Sequence, residues 1–199
     1  MTAYEIFISI FKEPETVGAV LPSSHFLAEK MVEGIDFNKA QYIVEYGPGT
    51  GVFTDKLLKK RKHDTVILLV ENNKEFCSML TEKYKGHDNV YIVHGSAENI
   101  EQYIERFNIP SVDYVISGLP FSSLPESVSS TILLNTAKIL KEEGQFTTFQ
   151  YTKLKQAFIA RFFSKIEIKR VYRNFPPAYI FSCRTNREES KYVKNTHCG

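Results

Sequence analysis

The sequence predicts an α/β protein: a doubly wound, Rossmann-like sheet of seven strands, mostly parallel, ending in a C-terminal antiparallel hairpin. From Gln41 onward, short apolar β-rich runs alternate with amphipathic stretches, the order of a parallel sheet covered by helices. Beyond residue 165 the alternation stops. Two β-rich runs follow with only residues 173–178 between them, too short for a parallel crossover, so they should pair antiparallel. The chain has 199 residues, 43% of them apolar, enough for one sizeable core and more naturally one domain than two.

The elements follow in order. Residues 1–40 precede the alternating region, and their first part reads as an amphipathic helix. Polar Thr2, Glu5, Ser9 and Lys12 recur at helical spacing and leave Ala3, Tyr4, Ile6, Phe7, Ile10 and Phe11 as a broad apolar surface. Residues 42–46 read as the first buried strand, 52–62 as a helix, 66–70 as the second strand and 74–84 as the next helix. Residues 90–94 form a third strand, and 97–107 a helix ended by Asn108, Ile109 and Pro110. The fourth strand is 112–117. Residues 126–140 are helical and stopped by Gly144, 145–151 supply a fifth strand and 154–163 a further helix. The last pair of strands is 166–172 and 179–184. One domain, 1–199, is expected: an N-terminal segment over 1–40, a core over 41–185 and a tail over 186–199.

Composition narrows the function. No stretch approaches the ~20 uninterrupted apolar residues of a spanning helix, and the N-terminus lacks the basic-then-apolar order of a signal peptide, so a cytoplasmic protein is expected. Cys77, Cys183 and Cys198 are widely spaced and form no Cys/His ligand pattern, which predicts free thiols and no metal site. The formal charge of +2 hides an asymmetry. Residues 1–150 carry 14 Lys and Arg against 20 Asp and Glu, whereas 151–199 carry 11 against 3. A basic quarter on an acidic body favours an anionic partner, either a phosphate-bearing substrate or a membrane surface.

Gly47-Pro48-Gly49-Thr50-Gly51 falls directly after a buried strand and before a helix, where missing side chains let the backbone approach a ligand at the carboxyl edge of the sheet. The spacing differs from the Gly-x-Gly-x-x-Gly of dinucleotide sites, whose helix N-terminus receives a pyrophosphate. It suits S-adenosylmethionine, which has no phosphate and needs backbone donors and acceptors for its amino-acid end, with Glu45 a candidate acceptor. Glu71, followed by Asn72, lies about 20 residues after the turn, where a carboxylate can accept from both ribose hydroxyls. Ser96, Ala97 and Glu98 follow the third strand, where adenine is reached: Ala97 through its backbone donor, Ser96 or Glu98 by accepting from the exocyclic amine. For Glu98, charge compensation at a helix N-terminus is the equal alternative.

A fourth motif, Ser117-Gly118-Leu119-Pro120-Phe121, follows the fourth strand. Amine methyltransferases place a Pro-aromatic turn over the sulfonium methyl at this position, where its carbonyls can accept hydrogen bonds from a substrate amine and orient the nitrogen lone pair. Ser117 would then lie beside the cofactor, with Phe121 laying a ring face on the sulfonium or a cationic product; the alternative is a Gly-Pro β-turn with a core phenylalanine. An alkyl amine resembles lysine, with an unperturbed pKa of ~10.4, so a proton must leave before transfer. Tyr151 or Tyr179 acting through water are the candidate acceptors, with His25 a third.

The run from Glu45 to Gly51 together with Leu119-Pro120 is similar to the rRNA adenine dimethyltransferases, which carry Asn-Leu-Pro-Tyr where this chain has Gly118-Leu119-Pro120-Phe121. Those enzymes have an additional C-terminal helical domain, for which this chain is too short. Over nearly its whole length the chain resembles the bacterial phospholipid N-methyltransferases. Phe11-Lys12-x-Pro14-x-Thr16-Val17-Gly18-Ala19-Val20-x-Pro22-Ser23-Ser24 looks like that family's N-terminal segment, the run from Gly118 to Pro125 like its fourth motif, and Asn174-x-Pro176-Pro177-Ala178 like its C-terminal turn. Gln150 and Tyr151 sit where that family often has polar and aromatic residues.

The resemblance implies a class I S-adenosylmethionine-dependent N-methyltransferase that acts on the amine of phosphatidylethanolamine or a related phospholipid, peripheral on the inner face of the membrane. In that setting the N-terminal helix lies in the lipid interface or packs as a lid, and Arg173 and Asn174 are the candidates for the lipid phosphate. Two other classes remain: an rRNA adenine or small-amine methyltransferase on the same fold, and a non-catalytic module that binds the cofactor.

Overall fold

Val66–Glu71 is the run Val-Ile-Leu-Leu-Val-Glu, and every residue after the first is buried. A strand that apolar throughout must be covered on both faces, which places it inside a parallel sheet rather than on an open one. The computed structural model describes residues 22–172 and 177–185, with side chains from residue 25 onward, and in it this run is β2 of a seven-stranded sheet ordered β3-β2-β1-β4-β5-β7-β6. The strands are β1 (Tyr42–Tyr46), β2 (Val66–Glu71), β3 (Val90–His94), β4 (Val112–Ser117), β5 (Leu140–Gln150), β6 (Lys165–Val171) and β7 (Ala178–Arg184). The first five pair in parallel; β7 is antiparallel to both β5 and β6. The expected class and terminal hairpin are both present.

Helices cover the two faces. On one side lie α1 (Pro22–Val32), α2 (Val52–Lys60) and α3 (Lys74–Lys83), whose Met31, Leu57 and Leu80 pack on Ile43, Ile67, Leu69 and Ile116. On the other lie α4 (Ile100–Arg106), α5 (Glu126–Ile139) and the single turn α6 (Gln156–Ile159), whose Ile100, Leu133 and Phe158 join Val44, Leu68, Val115 and Phe146. The strict alternation of Ile67 and Leu69 with Leu68 and Val70 between the two clusters is the period of two of a strand buried on both sides. Glu29 of α1 fastens the first layer by accepting from Lys56 and Lys60 of α2, each at 2.7 Å.

Three expectations change. Gly144 does not stop a helix: α5 ends at Ile139 and the chain passes directly into β5. The register jumps from Val112↔Leu140 to Tyr114↔Gln145, so residues 141–144 bulge out opposite Asp113. A Cβ on Gly144 would meet the Lys141 carbonyl oxygen at 2.9 Å, which is why glycine suits the bulge. Asp113 anchors it, accepting from Lys141 Nζ at 2.6 Å and from the Gln41 and Tyr42 amides at 2.9 Å. The helix expected over 154–163 is only α6, and the one expected over 97–107 opens as a 3-10 turn, Ala97–Asn99, before α4. The expected N-terminal amphipathic helix and the tail lie outside the described residues. Among the described residues, no helix is long and apolar enough to cross a membrane, and Cys77 and Cys183 are free thiols.

Candidate active site

The sheet order reverses at β1, which has β2 on one side and β4 on the other, and the crevice at such a reversal is where open α/β sheets bind ligands. Backbone bonds pin the loops that leave the strands there. Gly47 donates to Val70 O, Gly95 to Glu71 O and Gly118 to Tyr46 O, all at 2.9 Å.

The glycine turn has Gly47, Gly49 and Gly51 at φ of +61°, +55° and +84°, backbone that L side chains resist. At Gly51 space forbids a side chain as well, since a Cβ would lie 2.1 Å from the Tyr84 hydroxyl. That hydroxyl, at the C-terminal end of α3, sits 2.9 Å from the Gly51 carbonyl and 2.8 Å from Asp55 Oδ1, and Lys83 beside it donates to Thr50 O and Asp55. At Gly49, in contrast, a Cβ would meet nothing within 4 Å: the turn faces open space on its ligand side.

Two carboxylates flank the turn. Glu71 is buried, and its Oε2 accepts from the Gly49 amide at 3.0 Å and its Oε1 from the Asn73 amide at 2.9 Å. Asn73 is fixed in its own right as the cap of α3, accepting from the Glu75 and Phe76 amides. Glu45 is fully buried under the turn. Its Oε2 accepts from the Thr54 hydroxyl at 2.7 Å, and its Oε1 has no hydrogen-bond partner among the described residues. Burial pushes the Glu45 carboxyl up to about 8, with Asp55 and Glu71 adding to the rise and the Thr54 bond opposing it.

The fourth motif is locked to the glycine turn. A Cβ on Gly118 would stand 2.7 Å from the Gly47 carbonyl oxygen, and one on Gly47 would stand 2.9 Å from Leu119 Cδ2. The Leu119 carbonyl accepts from the Phe121 amide at 3.1 Å and from Gln150 Nε2 at 3.3 Å. The Pro120 carbonyl accepts from the Ser123 and Leu124 amides. Both oxygens thereby have donors, that of Leu119 from the buried Gln150, whereas no described residue donates to the Gly118 carbonyl. Ser117 is fully buried, its Oγ accepting from the Leu119 amide, so its side chain holds the turn. Phe121 corrects the sequence reading. Its ring is fully buried and edge-on to Phe146, with centroids 6.1 Å apart, so it belongs to the core and offers no face to a sulfonium.

After β3, the Ser96 hydroxyl caps the 3-10 turn, accepting from the Glu98 amide and donating to Glu98 Oε2 at 3.0 Å; of the two readings for Glu98, this bond is the one at a helix N-terminus. Ala97 is buried, and Asn72 is exposed with its carbonyl 3.2 Å from His94 Nε2. Tyr151 and Tyr179 lie at the same end of the sheet, Tyr179 in register with Gln150 and Tyr151 edge-on to Phe149. His25 is exposed on the first turns of α1. Arg173 and Asn174 lie outside the described residues.

The sequence reading missed Thr54, Asn73 and Tyr84. Asn73 had a signal, an Asn directly before a helical run; Thr54 and Tyr84 reach the site only through tertiary packing. The whole set is rich in acceptors, with an orphaned carboxylate oxygen beneath backbone that faces open space. It suits S-adenosylmethionine, whose amino-acid end and ribose present donors, better than a pyrophosphate.

The ribosomal RNA adenine dimethylase family model matches residues 22–167. The chain is 30% identical over 182 residues to an ornithine lipid N-methyltransferase of Singulisphaera acidiphila, a match covering 89% of this chain and 93% of that one. It is also 30% identical over 115 residues to ribosomal RNA small subunit methyltransferase A of Mycoplasma capricolum, covering 57% of this chain but 40% of that relative. Among solved structures, an S-adenosylmethionine-dependent methyltransferase from Aquifex aeolicus superposes with a TM-score of 0.62 at 14% identity, over 87% of this chain and 97% of that one; this likeness shows the fold.

Proposed function

This chain belongs to the ribosomal RNA adenine dimethylase family and is an S-adenosylmethionine-dependent methyltransferase, and from that premise we propose that it N-methylates the amine of a phospholipid, phosphatidylethanolamine or a related aminolipid. The observation that carries the proposal is the contact between Gly118 and Gly47. With 2.7 Å between a would-be Cβ and the Gly47 oxygen, no side chain fits at Gly118 of the fourth motif. An amine arriving there meets backbone carbonyl and no side-chain amide, which suits a flexible alkyl amine better than a planar base. The near full-length likeness to a lipid N-methyltransferase supports the same choice, whereas the rRNA methyltransferase relative is matched over less than half its length.

In this reading Glu71 holds the ribose hydroxyls of the cofactor, Glu45 and the Gly47 to Gly51 backbone hold its amino-acid end, and the loop from Ser96 to Glu98 borders the adenine. Bound there, S-adenosylmethionine supplies an electrophilic methyl group. The protein contributes alignment and dryness: the Gly118 carbonyl accepts one amine proton and aims the nitrogen lone pair, while Gln150 keeps the Leu119 carbonyl turned inward. Tyr151 and Tyr179 remain the candidates for relaying the departing proton to water. The enzyme would work as a peripheral protein on the inner membrane face.

The test is incubation of purified protein with isotope-labelled S-adenosylmethionine and phosphatidylethanolamine dispersed in detergent, with bulk rRNA in parallel. Label in mono-, di- or trimethylated lipid that vanishes on Glu71→Ala is the expected result. Label in rRNA and none in lipid transfers the assignment to base methylation.

A further inference from the structure

The loop after β5 and the turn directly after β6 expose two large apolar side chains beside the catalytic edge: Leu154, 86% exposed, and Tyr172, 74% exposed. A chain of close contacts joins them. Lys153, next to Leu154, holds its Nζ 5.2 Å from the Tyr179 ring centre. Arg170 reaches the same ring at 5.6 Å and the Tyr172 ring at 4.8 Å. On the other side of Leu154, Lys155 lies 4.9 Å from the Phe158 ring. The segment from 151 to 172 carries six Lys and Arg and a single acid, Glu167, although the body that bears it is acidic. Lys153, Lys155 and Arg170 have no acidic partner within 4 Å among the described residues, unlike Arg161, paired with Glu126, and Lys165, paired with Glu167.

The strip borders the active site directly. Tyr179 is the register partner of Gln150, whose side chain donates to the Leu119 carbonyl of the fourth motif. A surface that pairs unburied Leu and Tyr side chains with unneutralised cations is matched by a partner offering both an apolar interior and negative charge. A bilayer containing anionic lipid offers both. Single-stranded RNA would satisfy the charge, but it gives Leu154 nowhere to be buried, and Arg170 already lies against the Tyr172 ring.

We propose that the strip running from Lys155 and Leu154 through Lys153, Tyr179 and Arg170 to Tyr172 docks this protein on an anionic bilayer, with the methyl-transfer edge turned toward the headgroups. Its purpose rests on the aminolipid reading above, but its measurement does not. The full chain is cosedimented with vesicles of phosphatidylcholine, alone and mixed with phosphatidylglycerol, at low and high salt. Two variants are compared, Leu154→Ala/Tyr172→Ala and Lys153→Gln/Lys155→Gln/Arg170→Gln. Binding of wild type to the mixed vesicles, weakened by salt, is expected. The basic triple variant should lose about fivefold in partitioning for each charge removed, and the apolar double variant should lose binding without losing salt sensitivity. Both variants should keep cofactor affinity and methylate detergent-dispersed phosphatidylethanolamine as wild type does, yet fail on the same lipid in vesicles.

Vesicle binding by the variants equal to wild type overturns the docking surface, as does wild type that binds single-stranded RNA and not vesicles. Should wild type leave detergent-dispersed lipid unlabelled, the substrate reading falls, and the cosedimentation still decides the surface.

Discussion

The carboxylate of Glu71 accepts the amide proton of Gly49, with 3.0 Å between Oε2 and nitrogen. Through that bond the acid at the end of β2 and the glycine turn after β1 become one rigid unit, and the Asn73 amide at 2.9 Å sets the orientation of the second oxygen. Glu71→Ala removes the acceptor and releases both donors. Cofactor affinity should fall about ten- to a hundredfold, the range of a hydrogen bond to a charged group, in a calorimetric titration, while the circular dichroism spectrum stays that of wild type.

Glu45 should make cofactor binding pH-dependent. Its carboxyl is raised from 4.5 to about 8 in the folded chain. The native state therefore holds a proton that the unfolded state gives up, and the stability of the cofactor-free protein should fall as pH rises through that window. A cationic amino group placed against Oε1 favours the ionised form, so cofactor affinity should rise with pH over the same range and level off above about 8. Glu45→Gln should flatten both curves, read from denaturation and binding titrations across pH.

Gly118→Ala forces a Cβ to 2.7 Å from the Gly47 carbonyl oxygen, a backbone atom that cannot swing aside. The loss should be about 1–3 kcal/mol of stability, the usual cost of overpacking, visible as a lowered midpoint in thermal denaturation. Methyl transfer should drop with it, because the displaced turn carries the carbonyl proposed to accept from the amine.

Gln150→Leu keeps the volume but removes the donor that holds the Leu119 carbonyl inward. A net hydrogen bond of about 1 kcal/mol sets the scale: kcat should fall about fivefold with the KM for S-adenosylmethionine unchanged. Steady-state kinetics separates this from a general loss of structure, which would move both.

Tyr84→Phe takes away the hydroxyl beneath Gly51 and beside Asp55. The expected result is about 1 kcal/mol lower stability and a severalfold weaker cofactor titration, with the heteronuclear spectrum altered only around the glycine turn.

Much of this geometry is legible in the sequence because it depends on period and position. The apolar run of β2, the glycines after β1 and the acid closing β2 follow from spacing alone, and the short link before β7 forces antiparallel pairing. What stays hidden depends on which way a side chain turns. Phe121 follows the right strand, yet its ring is drawn into the core by Phe146 and Phe163, two rings stacked 5.3 Å apart in the same cluster. Gly144 reads as a helix stop because nothing local distinguishes a stop from a strand bulge, and the deciding partner, Asp113, lies in another strand. Thr54 and Tyr84 are ordinary helical residues until α2 and α3 bring them against the turn.

The placement of β7 bears on how the protein is made. The last of the seven strands lies inside the sheet, between β5 and β6. As the nascent chain leaves the ribosome, β6 emerges before the strand to which it bonds, and the backbone edge of β5 over residues 145–150 stays open until residues 178–184 clear the exit tunnel. That half of the sheet is completed only once β7 has emerged. A message truncated before Ala178 would leave an exposed, apolar strand edge, a template for aggregation.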